Sequence, residues 1–194
     1  INSNGDFRLM SKILVDTIDT RSGTSNITIG SSNASQITLK SGATLTNFPD
    51  NSPILSIGLA SSMNMSDNTW TTVVFDTETL DAGGIYNTST GVCTPTAGTY
   101  LMIFCANVGG DTNSSLQNAG VRFSVGGTVT AEQTVNSASN NTRYANLVTS
   151  YIHTFDGSTY VLCQAYNDVS SGQASVFGGS SPRFGATFQM VKLI

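Results

Sequence analysis

Apolar side chains in this chain fall into short runs in which they recur at about every second position. The runs are 12–18 (KILVDTI), 26–30 (NITIG), 35–40 (SQITLK), 54–60 (ILSIGLA), 71–76 (TTVVFD), 99–108 (TYLMIFCANV), 120–125 (GVRFSV), 128–135 (TVTAEQTV), 144–155 (YANLVTSYIHTF), 159–166 (TYVLCQAY), 173–177 (QASVF) and 183–194 (RFGATFQMVKLI). They are rich in β-branched and aromatic residues and are separated by clusters of Gly, Asn, Asp and Ser, which is the pattern of strands and turns. No long segment shows the 3.6-residue period of an amphipathic helix. The pattern therefore predicts an all-β protein. Gly126–Gly127 between two runs reads as a two-residue hairpin, and 156–158 (DGS) as another turn.

Some runs are apolar on both faces. In a strand, alternate side chains point to opposite sides. From Tyr100, one face carries Tyr100, Met102, Phe104 and Ala106, and the other carries Leu101, Ile103, Cys105 and then Asn107. Likewise Tyr151 and Phe155 oppose Val148 and Ile152, and Tyr160 and Leu162 oppose Val161 and Cys163. A surface strand of an antiparallel sandwich needs only one apolar face. Either another layer of the same chain or another molecule covers the second one.

The first 48 residues differ: their apolar stripes (Ile27 and Ile29, Ile37 and Leu39, Leu45) are too thin for a private core. Units of this kind bury their stripes only against neighbours. Three copies wound about an axis would form a β-rich trimeric stalk; the alternative is a flexible Ser/Thr linker. The two prolines of 47–53 (NFPDNSP) mark a boundary, which predicts a stalk over 1–50 and a head over 51–194.

Composition narrows the function. Only 10% of the 194 residues are charged and the net charge is −4, with Lys confined to Lys12, Lys40 and Lys192, so no basic patch invites nucleic acid. The apolar runs are far shorter than the ~20 residues that cross a bilayer as a helix. The chain starts at Ile1, which reads as a fragment or processed product. Cys93, Cys105 and Cys163 show no CxxC spacing and read as buried free thiols, which suits folding in a reducing compartment.

Catalytic signatures are sparse. His153, the single histidine, lies within a strand run beside Ile152 and Phe155 and reads as a packed histidine rather than a base. The two glutamates, Glu78 and Glu132, form no evident acid–base pair, and the aspartates sit mostly in turns. The chain therefore reads as non-enzymatic, with no cofactor and no metal. Asp111, Asn113, Asp156 and Asp168 could offer oxygen ligands to calcium, but their spacing supports no calcium loop. Long polar stretches at 108–120, 136–144 and 167–184 read as loops fit for binding. Within 136–144 (NSASNNTRY), Asn141, Arg143 and Tyr144 combine amide, planar guanidinium and aromatic groups and are the candidate ligand-binding residues.

The segment from Trp70 to Val108 resembles the globular-head family of complement C1q, which shares the tumour-necrosis-factor-like jelly roll. The residues that carry it are Phe75 and Asp76 closing a strand, Tyr86–Asn87, the Thr90–Gly91 turn, and Pro95 and Gly98 ahead of Tyr100. The stretches 158–168 and 183–194 look like that family's late strands, so the resemblance spans roughly 54–194. Cys93 and Met102 stand where aromatics are common, and no Gly-X-Y tract precedes the head. The resemblance implies a jelly-roll β-sandwich assembled as a homotrimer, neighbouring subunits covering the second face of the two-sided strands. Tyr100, Met102, Phe104, Tyr151, Phe155 and Tyr160 are then candidates for core or subunit contact, with the face left open. A low-charge Ser/Thr/Asn stalk before such a head looks like a viral or bacteriophage fibre. The expectation is a virion attachment protein binding a host-surface glycan or protein through its head and other virion proteins at its N-terminal end. The alternatives are a virion decoration or connector protein, or a secreted, extracellular C1q-like or lectin-like module.

Overall fold

The computed structural model describes residues 52–113, 115–137, 142–179 and 185–193. The runs expected at 12–18, 26–30 and 35–40, the stalk and its boundary at 50, and Asn141 lie outside the described residues. Among those described, the structure is all strand and turn, without a helix.

Thirteen strands are formed among the described residues: β1 (Pro53–Gly58), β2 (Met63–Asn64), β3 (Thr71–Thr72), β4 (Thr77–Asp81), β5 (Tyr86–Asn87), β6 (Val92–Cys93), β7 (Gly98–Gly110), β8 (Leu116–Val125), β9 (Thr128–Asn136), β10 (Tyr144–Phe155), β11 (Val161–Val169), β12 (Ala174–Val176) and β13 (Thr187–Lys192). They build two antiparallel sheets. One runs β2-β12-β7-β13-β1-β4, with β10 along the opposite edge of β7. The other runs β5-β6-β11-β8-β9, with β3 also on β11.

The core lies between the sheets. Tyr100, Met102 and Phe104 of β7 and Phe188 and Met190 of β13 point inward, and Val121 and Phe123 of β8 with Val161, Cys163 and Ala165 of β11 meet them from the facing sheet. Ring centroids of Phe104 and Phe123 lie 6.2 Å apart, and those of Phe123 and Phe188 5.7 Å. Each such side chain contributes ~1.5–3 kcal/mol by leaving water. Period-two alternation is what sequence can show of this: every second residue of β11 is buried, from Val161 to Val169.

Several motif residues are tied together. The Phe75 N–H donates to the Tyr86 hydroxyl at 2.7 Å. Asn87 Oδ1 accepts from the N–H groups of Ser89 and Thr90, closing the turn that Gly91 completes at φ 74°. The Tyr100 hydroxyl donates to the Thr96 carbonyl at 3.0 Å.

The run 71–76 departs from expectation. Only Thr71–Thr72 pair, on β11, whereas Thr77–Asp81 pair with β1 in the other sheet. Residues 73–76 thus pass from one sheet to the other, and Val73 and Phe75 stay buried because both layers shelter the crossing. The stretch 108–120 is also largely strand: β7 continues to Gly110 and β8 begins at Leu116, leaving a short connection. Most of 167–173 likewise extends or follows β11. The glycine pair Gly126–Gly127, at φ 55° and 85°, makes the expected tight hairpin between β8 and β9.

Candidate functional site

The outward face of the β7 sheet carries an apolar patch centred on β7 and β10, with polar side chains among it. Across it, Ile152–Leu101–Val191 form one row, Ser150–Ile103–Gln189 the next, and Val148–Cys105–Thr187 a third. Leu101, Ile103, Cys105 and Val191 are half-buried, while Val148 and Ile152 are 52% and 58% exposed. Strand pairing on both edges holds these side chains at fixed spacing on a rigid surface. Contiguous exposed apolar residues of this kind mark interaction surfaces.

This face ends in a cavity. Beyond Cys105 the next outward residue of β7 is Asn107, which lines a space of about 370 Å³ together with Arg143, Tyr144, Phe177 and Gly178. The backbone fixes this arrangement from several sides. Gly110 N–H donates to the Arg143 carbonyl at 3.0 Å, and Arg143 Nε–H donates back to the Gly110 carbonyl at 3.2 Å. Gly109 permits the approach: a Cβ there would stand 2.2 Å from the Arg143 carbonyl oxygen. The Phe177 N–H donates to the Asn107 carbonyl at 2.8 Å, which seats the Phe177 ring beside the Tyr144 ring, 6.1 Å away and edge-on. The Arg143 guanidinium lies 5.9 Å from the Phe177 ring centre. From inside the sandwich, Asn167 of β11 donates its amide to the Gly109 carbonyl, tying the two sheets beneath the site. Asn107 itself is 2% exposed, and neither its amide nitrogen nor its amide oxygen has a hydrogen-bond partner. Buried amides are normally paired, so this one stands out.

The structure brings together two of the three candidate ligand residues, Arg143 and Tyr144, at the start of β10. Asn107 and Phe177 complete the group. The signal for Asn107 was its place as a polar residue ending an apolar face; Phe177 is joined to it only by the pairing of β12 with β7. Of the residues assigned to core or subunit contact, Tyr100, Met102, Phe104 and Phe155 are buried between the sheets and thus unavailable to a neighbouring molecule. Tyr151 is half-buried against the same core, and Tyr160 is exposed just before β11. The outward positions available for contact are instead the intervening ones on β7 and β10. Cys93 and Cys163 are buried free thiols, but Cys105 points outward and is half-buried, because it occupies the odd register of β7.

Other candidate groups are engaged in structure. His153 stacks on Tyr151 and meets Phe155 edge-on at 4.7 Å. Asp111 Oδ1 accepts from the Gln173 N–H, and Asp168 Oδ2 from the Asn118 amide. Asp156 Oδ1 accepts from the Ser158 and Thr159 N–H groups at 2.8 and 2.7 Å, bonds that hold its carboxyl below the usual carboxylate range. No group of three His, Cys, Asp or Glu side chains is gathered as for a metal among the described residues. On the outer face of the second sheet, Arg122 donates to Gln164 Oε1 at 2.8 Å and covers the Trp70 ring at 4.1 Å. Gly120 makes room for that ring, since a Cβ would meet it at 2.7 Å. These groups satisfy one another.

No family model matches the chain, and no curated protein matches it. Among solved structures, the chain is similar to the globular domain of zebrafish complement 1qA protein, at 15% identity over 71% of this chain and 94% of that chain, with a TM-score of 0.48. It is also similar to murine APRIL at pH 8.0, at 14% identity over 73% of this chain and 98% of that one, with a TM-score of 0.51. The likeness to murine APRIL extends over nearly all of that chain, and with the two-sheet topology it shows a C1q/TNF-like jelly-roll fold.

Proposed function

We propose that this chain is the non-enzymatic, homotrimeric head and stalk of a virion fibre or spike, which attaches to a glycan or protein on a host surface. The observation that carries the trimer is the outward apolar face of Leu101, Ile103, Cys105, Val148 and Ile152, set on paired strands and left uncovered by the chain's own residues among those described. Jelly rolls of the C1q/TNF-like kind are typically trimeric. Burial of each Leu- or Ile-sized side chain contributes ~1.5–3 kcal/mol, so a few per subunit suffice for a stable assembly. The low-charge Ser/Thr/Asn pattern of 1–48 supports the virion setting, with other virion proteins at that end. The head's own groups for a host ligand are Arg143 and Tyr144, with Asn107 and Phe177 beside them.

The experiment is binding of the purified full chain to cells and isolated envelopes of candidate hosts, with its mass measured in the same buffer. Saturable binding by a trimer is the expected result. A trimer that binds no host surface would remove the attachment role and leave that of a virion decoration or connector protein.

A further inference from the structure

The start of β10 closes over a polar group that nothing pairs. Asn107 is 2% exposed, and neither its amide nitrogen nor its amide oxygen has a hydrogen-bond partner. Amides around it are engaged: Asn167 donates to the Gly109 carbonyl, and Asn118 to Asp168. A buried donor and acceptor left unmet disfavour the closed arrangement relative to one in which water reaches them.

The cover is held lightly. Arg143 and Asn146 are exposed, Tyr144 is 38% exposed, and the first deeply buried side chain of β10 is Leu147. In the ladder β10 pairs with β7 alone. Its first residues are fastened by exposed backbone groups: the Leu116 N–H donates to the Thr142 carbonyl and the Gly110 N–H to the Arg143 carbonyl, each at 3.0 Å. β7 beneath is fixed from two other directions, by the Asn167 amide on the Gly109 carbonyl and by pairing of Gly109 and Gly110 with β12. Segments with few buried side chains and exposed hydrogen bonds open locally at a small fraction of the cost of global unfolding. Here the segment free to move is the start of β10.

We propose that residues 142–146 form a latch, which swings off β7 about Leu147 as a local opening of the folded head, and that the unpaired Asn107 amide favours the open form by gaining water there. The closed form seals Asn107. The open form adds its carboxamide to Arg143 and Tyr144. The latch rests on the attachment reading only for its use, the regulation of those two candidate ligand groups, and not for its existence.

The test is hydrogen exchange of the full chain in its native assembly, resolved to single amides and repeated at low urea concentrations. The reference is the Val73 N–H, which donates to the Cys163 carbonyl in the core at 2.8 Å. Corrected for intrinsic rates, the Gly110 and Leu116 amides should exchange about 10-fold faster than Val73 or more, and depend little on urea, as local openings do. Asn107→Leu, branched at the same carbon but without polar atoms, should slow both by about 5-fold or more, the factor that the lower end of an unmet amide's cost, ~1 kcal/mol, corresponds to. Asn107→Val is the second variant and should act in the same direction. The Gly126 N–H, which donates to the Tyr160 carbonyl at the other end of β8, should be unchanged. Exchange of Gly110 and Leu116 at the rate and urea dependence of Val73 overturns the latch. So do unchanged rates in both variants, or loss of folding in both, since removing the unpaired amide should stabilise. Failure of host attachment leaves these rates and the latch standing, whereas failure of the exchange pattern removes the latch and leaves the attachment reading untouched.

Discussion

Ile152 stands directly opposite Leu101 across the β7–β10 ladder, and both side chains point away from the core. Their neighbours one step away, Tyr151 opposite Met102, point inward. The same two strands therefore present one apolar surface to the sandwich interior and another to the outside. If the outside surface is a subunit contact, Ile152 tolerates apolar replacement but not charge. Ile152→Asp should leave a folded chain that no longer assembles, because the carboxylate would be buried unpaired, at a cost of several kcal/mol per contact. Size-exclusion chromatography with circular dichroism checks this: a shift to the monomer volume with an unchanged β spectrum is expected.

Core positions should respond differently. Phe104→Ala empties a site enclosed by Phe75 and Phe123, with centroid distances of 6.1 and 6.2 Å. A loss of ~3–5 kcal/mol is expected for such a truncation. Denaturant unfolding of the Ile152→Asp monomer, with and without Phe104→Ala, measures it free of the assembly's contribution.

Asn107 sets up the opposite sign. An amide buried without partners costs ~1–3 kcal/mol, which an apolar residue of similar shape avoids. Asn107→Leu should therefore raise the stability of the ligand-free chain by about that amount, read as a higher denaturant midpoint with unchanged slope.

Alkaline pH should weaken the fold. Burial pushes the Cys163 and Cys93 thiols and the Tyr86 hydroxyl well up from their ordinary values, Tyr86 against the opposing pull of its bond from Phe75. Folded-state values above unfolded ones mean that the folded chain keeps protons the unfolded chain has lost. Stability is then complete below the ordinary thiol and phenol range, ~8.5–10, and falls as pH rises through it. Each buried thiol contributes up to ~1.4 kcal/mol per pH unit there. Thermal unfolding from pH 7 to 11 should show a flat limb and then a decline, shallower in Cys163→Ala.

Much of this was legible from alternation. The runs at 99–108 and 144–155 correspond closely to β7 and β10, whose burial alternates over most of their length, while 128–135 matches β9, an edge strand that is largely exposed on both faces. The two-sidedness of β7 and β10 was visible too, but not which side faced inward, since Tyr100, Met102 and Phe104 look as suited to a subunit contact as Leu101 and Ile103 do. Only the facing layer of Val121 and Phe123 decides it. The crossing at 73–76 and the short strands were hidden, β2 because its partner lies 113 residues away (Met63 and Val176), and β5 and β6 because two residues each are too few to show a period. The cavity was half legible: Arg143 and Tyr144 stood in one polar segment, whereas Asn107 and Phe177 join them only through sheet register.

Cys105 gives a chemical reporter of the contact. It lies on the outward face between Val148 and Thr187, while Cys93 and Cys163 are enclosed in the core. Thiol labelling of the intact assembly should be slow at all three. In the Ile152→Asp chain, Cys105 alone should label at least 10-fold faster, as peptide mapping can show. Equal rates at Cys105 in the two forms would place the contact elsewhere.

A homotrimer is distinguished from a single chain by its mass in solution. Multi-angle light scattering of the full chain at micromolar concentration should give three times the 20.3 kDa chain mass. A stable species at the mass of one chain, with Leu101, Val148 and Ile152 open to water, would contradict it.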